Sequence, residues 1–102
     1  MKFILPKRLS EATIQAEFYS QAKEAGLNIY LEYKHENNRF DAVIYKDGII
    51  THIIEFKSYK TNKAGKVNTK QINRYKAYGV PVILITRLDQ IRGVISFLLS
   101  LE

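Results

Sequence analysis

The sequence predicts a single mixed α/β domain, and three observations carry that prediction. Apolar residues recur at helical spacing near both ends of the chain, at Ile14, Phe18, Ala22 and Ala25 and again at Leu88, Ile91, Ile95 and Leu98. Between them lie three runs rich in Ile, Val, Tyr and Phe, separated by short polar turns. A basic, helix-like segment then leads into a fourth run that is continuously apolar. At 102 residues the whole chain, 1–102, is one domain, long enough to bury a core of its own.

The elements follow in order. Ser10 is an N-cap for a first helix that ends at Gly26. Strands are expected over Asn28 to Tyr33, Arg39 to Tyr45 and Ile49 to Phe56, with turns at His35-Glu36-Asn37-Asn38 and Lys46-Asp47-Gly48. Ser58 to Val67 is polar and basic and contains Gly65, which predicts a mobile loop. Asn68 caps a second helix with Gln71 completing a capping box, and Gly79 and Pro81 end it. Val82 to Thr86 is expected to be a strand buried on both faces. A last helix begins near Asp89. The second helix serves as the crossover that returns the fourth strand to the sheet.

Cysteine is absent, which excludes disulfides, thiolate metal sites, iron–sulfur clusters and cysteine nucleophiles. Met1 to Ser10 lacks the apolar run of a signal peptide, and Val94 to Leu101 is too short to span a bilayer. A soluble, intracellular protein with no membrane partner is therefore expected. The net charge is +6, and from Lys57 to Lys76 seven cations occur with no acid. That run fits a solvated loop and helix face, or a stripe that tracks phosphates.

The chemistry centres on Ile53-Ile54-Glu55-Phe56-Lys57. Strand alternation puts Glu55 and Lys57 on one face, which alone describes a surface ion pair. Asp41 lies in the preceding strand, and the turn decides whether it meets Glu55. A two-residue Asp47-Gly48 loop would place them on opposite faces. A three-residue loop, Lys46-Asp47-Gly48 with a left-handed Gly48, places Asp41 opposite Ile53 and diagonal to Glu55. The catalytic reading requires the three-residue loop. Two carboxylates converging with a lysine suit a hard cation such as Mg²⁺ or Mn²⁺, which activates water and stabilises charge on a phosphoryl group.

Asp41, followed after thirteen intervening residues by Glu55-Phe56-Lys57, resembles the PD-(D/E)xK nuclease superfamily. Glu17 on the first helix matches that superfamily's accessory acid. Gln71 and Tyr75, four apart on the second helix, look like its Q-x-x-x-Y feature. Within the superfamily the chain is most similar to stand-alone VRR-NUC (virus-type replication-repair nuclease) domains, through Tyr78-Gly79-Val80-Pro81-Val82-Ile83-Leu84-Ile85 and Leu88-Asp89-Gln90-Ile91. Phe40 stands where proline is usual, and the customary glycine just upstream is missing. The resemblance runs from about Ser10 to Leu101.

It implies a restriction-endonuclease-like α-β-β-β-α-β core with a mixed central sheet flanked by helices, plus the C-terminal helix. It also implies hydrolysis of nucleic-acid phosphodiesters with one or two Mg²⁺ (or Mn²⁺) ions. Asp41, Glu55 and the Phe56 backbone carbonyl would hold metal, Lys57 would position the attacking water, and Glu17 would hold a metal-bound water. Gln71 and Tyr75 would orient the site or the strand, and Lys60, Lys63, Lys66, Lys70 and Arg74 would contact phosphates. No recognition helix or specificity domain is evident in so short a chain. Branched or junction DNA, Holliday junctions included, is thus the expected substrate, cut as an endonuclease rather than an exonuclease. The setting implied is the cytoplasm of a prokaryotic cell, or a virus or phage.

Each satellite residue also has a plainer role open to it. Glu17 suits a solvated helix face, Gln71 a cap, and Tyr75 a half-buried core position with a wet hydroxyl. Tyr59 among the lysines suits a stacked base or sheet packing. His35, in a turn, and His52, on the face opposite Glu55, are not expected to be ligands. Val94, Ile95, Phe97, Leu98, Leu99 and Leu101 wrap more than one face of the last helix, which predicts a homodimer. Two other classes fit the same sequence: a non-catalytic nucleic-acid-binding module, and an assembly subunit that docks through this helix.

Overall fold

The computed structural model describes residues 10–57 and 78–102. Helix α1 (Glu11–Glu24) opens at Ser10, whose side chain accepts from the Thr13 N–H at 3.2 Å. Ile14, Phe18 and Ala22 form its buried stripe. Ala25, expected on that stripe, is exposed, because it caps the helix just before Gly26 turns the chain at φ 90°.

Strands β1 (Ile29–His35), β2 (Asn38–Lys46) and β3 (Ile49–Phe56) form an antiparallel meander, and β4 (Val82–Ile85) pairs in parallel with β3. The spatial order is β1-β2-β3-β4. The chain then passes a short 3-10 turn at Leu88–Gln90 into helix α2 (Ile91–Ser100). Gln90 Oε1 braces that entry by accepting from the Thr86 N–H at 2.7 Å and the Arg87 N–H at 3.2 Å. The fold is thus α/β, with an N-terminal helix, a four-strand mixed sheet and a C-terminal helix. A parallel β3–β4 pair requires the chain to return to the far end of the sheet before β4. The basic loop and crossover helix expected on that path lie in residues 58–77, outside the described residues. No helix among the described residues is long and apolar enough to cross a membrane.

One face of the sheet packs on both helices. Ile14, Phe18 and Ala22 of α1 and Ile91, Ile95 and Leu98 of α2 close over Ala42, Ile44, Ile54, Phe56 and Ile85. Phe18 meets Phe56 edge-on, with ring centroids 5.7 Å apart. On the opposite face Phe40, Val43 and Ile53 form a smaller cluster with Tyr33, Ile50, Val80 and Val82. The apolar run into β4 was expected to be buried on both faces. Instead Val82, Ile83 and Leu84 are only half-buried, because among the described residues β4 borders the sheet and has β3 alone as a neighbour.

The β2–β3 turn corrects a second expectation. Lys46 pairs with Ile49, so the loop is the two-residue Asp47-Gly48, with both residues in the left-handed region (φ 54° and 77°). Such a turn matches the twist of the flanking strands. Its parity is then reversed within the hairpin. Tyr45 pairs with Ile50 but Ile44 pairs with His52, leaving Thr51 as the extra residue of a β-bulge. Thr51 Oγ1 donates to the Ile44 carbonyl at 3.2 Å, satisfying an acceptor that the disrupted ladder would otherwise strand. A Cβ at Gly48 would meet nothing within 4 Å, so the only cost of Gly48→Ala is its left-handed backbone. We expect a loss of about 1–2 kcal/mol, read from urea unfolding; an unchanged midpoint would contradict the turn geometry.

Candidate metal centre

Beyond the bulge the register runs Val43↔Ile53 and Ala42↔Ile54, which brings Asp41 opposite Glu55. The expected diagonal placement opposite Ile53 is therefore off by two, yet the two acids do meet. Each carboxylate accepts from a backbone N–H of the other strand. The Asp41 N–H donates to Glu55 Oε2 at 3.0 Å, and the Phe56 N–H donates to Asp41 Oδ2 at 2.9 Å. Side-chain oxygens thus take over from backbone carbonyls where β2 and β3 part. The Asp41 carbonyl is likewise served by a side chain, accepting from Gln15 Nε2 of α1 at 3.4 Å.

Burial and charge set the protonation of the pair. Glu55 is 2% exposed, and burial above all pushes its carboxyl from 4.5 up to about 7. The Asp41 N–H and the Lys57 ammonium pull it down, while the charges of Asp41 and Glu11 push it up. Asp41 is also raised, first by burial, then by Glu32 and Glu11, against lowering by the Phe56 N–H and Lys57. Lys57 continues β3, its N–H donating to the Ile85 carbonyl at 3.0 Å. Among the described residues Lys57 supplies the one ammonium acting on two such carboxyls, short of the charge that would balance both.

A divalent cation fits that shortfall. Among the described residues no cluster of three or more His, Cys, Asp or Glu side chains is arranged to hold a metal. Mg²⁺, however, commonly takes only one or two carboxylates and keeps its waters, which is the donor set that Asp41 and Glu55 offer. Phe56 is anchored by its buried ring against Phe18, so its backbone is fixed beside the pair.

The other predicted site residues fall differently. Glu17 is exposed, accepts from Gln21 Nε2 at 2.8 Å along its own helix, and is not brought to the pair. The helix instead contributes Gln15, and Glu11, though exposed, acts on the pair through its charge. The signal was present: extending the Ile14–Phe18–Ala22 stripe back one turn reaches Glu11, whereas Glu17 borders it. Gln71, Tyr75, Lys60, Lys63, Lys66, Lys70 and Arg74 lie outside the described residues, as does Tyr59. His52 is buried against Phe97 of α2, on the helix-covered face, with Nδ1 3.0 Å from Thr51 Oγ1. His35 sits at the end of β1 beside Tyr78. Comparisons of the chain with protein-family models, curated proteins and solved structures found no match.

Proposed function

We propose that this chain is a metal-dependent nuclease with a restriction-endonuclease-like core, of the PD-(D/E)xK type and most like VRR-NUC domains. The observation that carries the reading is the Asp41–Glu55 pair, buried at Glu55 and half-buried at Asp41, each carboxylate held by a backbone N–H of the other strand and acted on by the Lys57 charge. Asp41 and Glu55, with the Phe56 carbonyl, hold Mg²⁺ or Mn²⁺. When bound, that ion supplies an activated water and charge stabilisation for the phosphoryl group. Lys57 donates to the attacking water and fixes its line of approach. The net charge of +6 and the cation run beyond Lys57 support a polyanionic substrate, branched or junction DNA. Phe97, Leu99 and Leu101, at 52%, 39% and 56% exposure on or just after α2, support self-association as a homodimer.

A second reading is favoured by the same two hydrogen bonds. They give each carboxylate a structural task, tying β2 to β3, as a non-catalytic nucleic-acid-binding module would need. Purified protein incubated with junction, flap, duplex and single-stranded DNA, with and without Mg²⁺, separates the two readings. Metal-dependent cleavage that falls about a hundredfold in Lys57→Ala supports the nuclease. Salt-sensitive binding with no cleavage of any substrate overturns it.

A further inference from the structure

Strand β1 carries a residue whose backbone does not belong in a strand. Glu32 has φ 54°, in the left-handed region, although it sits between two residues paired in the ladder. A non-glycine residue there is uncommon, and the residues enriched in that region are Asn, Asp and His rather than Glu. The register on either side, Leu31↔Ala42 and Tyr33↔Phe40, brackets Glu32 opposite Asp41.

Side-chain alternation breaks at that point on both strands. Leu31 and Ala42 pack in the helix-side cluster, whereas Tyr33 and Phe40 pack on the opposite face. Two residues apart in a regular strand, each of these neighbours should share a face. Tyr33 and Phe40 instead stack on one another across the strands, with centroids 6.1 Å apart and planes 7° from parallel. Tyr30 and Tyr33, three apart, also meet, at 6.2 Å. Asp41 is the residue across which β2 reverses. Its two backbone polar groups bond to the side chains of Glu55 and Gln15, and its carboxylate reaches the Phe56 amide. With regular backbone at both positions, Asp41 would share a face with Val43 and present its peptide group to the ladder.

We propose that Glu32 is a positioning residue for the carboxylate pair, acting through its left-handed backbone. That conformation opens the β1–β2 ladder opposite Asp41 and lets the Asp41 carboxylate turn to the Phe56 amide. The Glu32 side chain has a separate, holding role: it clasps Arg39, with Oε2 2.6 Å from Nη2 and 2.8 Å from Nε. Local strain kept in place by surrounding contacts beside a reactive group is the expected form of such a device. The inference rests on the metal-centre reading for its function, but its geometry can be tested apart from it.

Substitutions at Glu32 separate backbone from side chain. Glu32→Gly and Glu32→Asn both lose the carboxylate but accept a left-handed backbone. Glu32→Val resists it. Mn²⁺ binding, read by electron paramagnetic resonance, should stay within about threefold of the unsubstituted protein in Glu32→Gly and Glu32→Asn and weaken about tenfold or more in Glu32→Val. Arg39→Ala, which breaks the clasp alone, should also stay within about threefold. Hydrogen exchange at the Phe56 amide gives the second readout, since Asp41 Oδ2 is what that N–H donates to. Its protection should persist in Glu32→Gly and fall about tenfold or more in Glu32→Val. Should Glu32→Val fail to fold, Glu32→Ala takes its place against glycine. Equal behaviour of the glycine and β-branched (or alanine) variants, or loss of binding in Arg39→Ala matching theirs, overturns the proposal. Absence of Mn²⁺ binding in the unsubstituted protein overturns the metal-centre reading instead, and exchange at the Phe56 amide still decides the positioning.

Discussion

Asp41→Asn is expected to lower metal-dependent cleavage by about a thousandfold or more while leaving the protein folded. The asparagine side chain is nearly isosteric and keeps a carbonyl oxygen that can accept from the Phe56 N–H, now at 2.9 Å from Oδ2. Its backbone N–H still donates to Glu55, so the strand junction survives. What disappears is one of two anionic donors to the cation, and with it the driving force for holding Mg²⁺ beside Glu55. The burial that raises the Asp41 carboxyl penalises its charge in the metal-less protein, so removing that charge does not weaken the fold at neutral pH. Single-turnover cleavage, a Mn²⁺ titration and a thermal melt check the three parts. Cleavage within tenfold of the unsubstituted protein would show that Asp41 serves only to tie the strands.

The second large effect is a pH-dependent burden on stability centred on Glu55. Its folded carboxyl lies at about 7 against 4.5 in the absence of the fold. Below 4.5 it is protonated in both states and carries no penalty. Between 4.5 and about 7 the folded protein binds more protons than the unfolded chain, so stability falls as pH rises. Above about 7 the penalty is fully present, of order 3 kcal/mol. Asp41 is shifted in the same direction and adds to the slope. Glu55→Gln, which retains an oxygen for the Asp41 N–H, is therefore expected to stabilise the metal-less protein at pH 8 by up to about 3 kcal/mol and to give no gain at pH 4. Urea unfolding at the two pH values measures it. A Glu55→Gln protein less stable than its parent at pH 8 would mean that the buried charge is already compensated. Metal binding has the opposite sign, because only ionised carboxylates bind, so affinity climbs as pH approaches 7.

Much of this architecture could be read from the residues. The Ile14–Phe18–Ala22 stripe, the Ser10 cap and the period-two runs place α1, the meander and β4 to within about two residues, because burial imposes its period on sequence. Asp41, Glu55 and Lys57 converge as expected, although not for the expected reason. Turn residues specify a turn locally, and Asp47-Gly48 forms the two-residue loop its composition favours. The bulge that reverses its effect lies at Thr51, an ordinary β-branched strand residue with no local signature. Glu32 was illegible for a related reason. Glutamate has no bias toward the left-handed region, and only the packing of Tyr33 and Phe40 on the far face shows what its backbone does. Glu17 was assigned because resemblance points to an acid on the helix, while the helix axis relative to the sheet leaves it on the exposed face, bonded to Gln21.

The Thr51 bulge bears on how such sites are compared between proteins. Thirteen residues separate Asp41 from Glu55, but that number does not itself determine whether they face each other. Loop length and bulge count act together as an odd–even code, and two irregularities of one residue each cancel. A hairpin one residue longer in its loop and lacking the bulge would present the same two carboxylates. Chains that share this geometry can therefore differ by an insertion in one place and a deletion a few residues away. Aligned by residue matching alone, such hairpins keep both carboxylates in frame while the residues between loop and bulge are paired one position off.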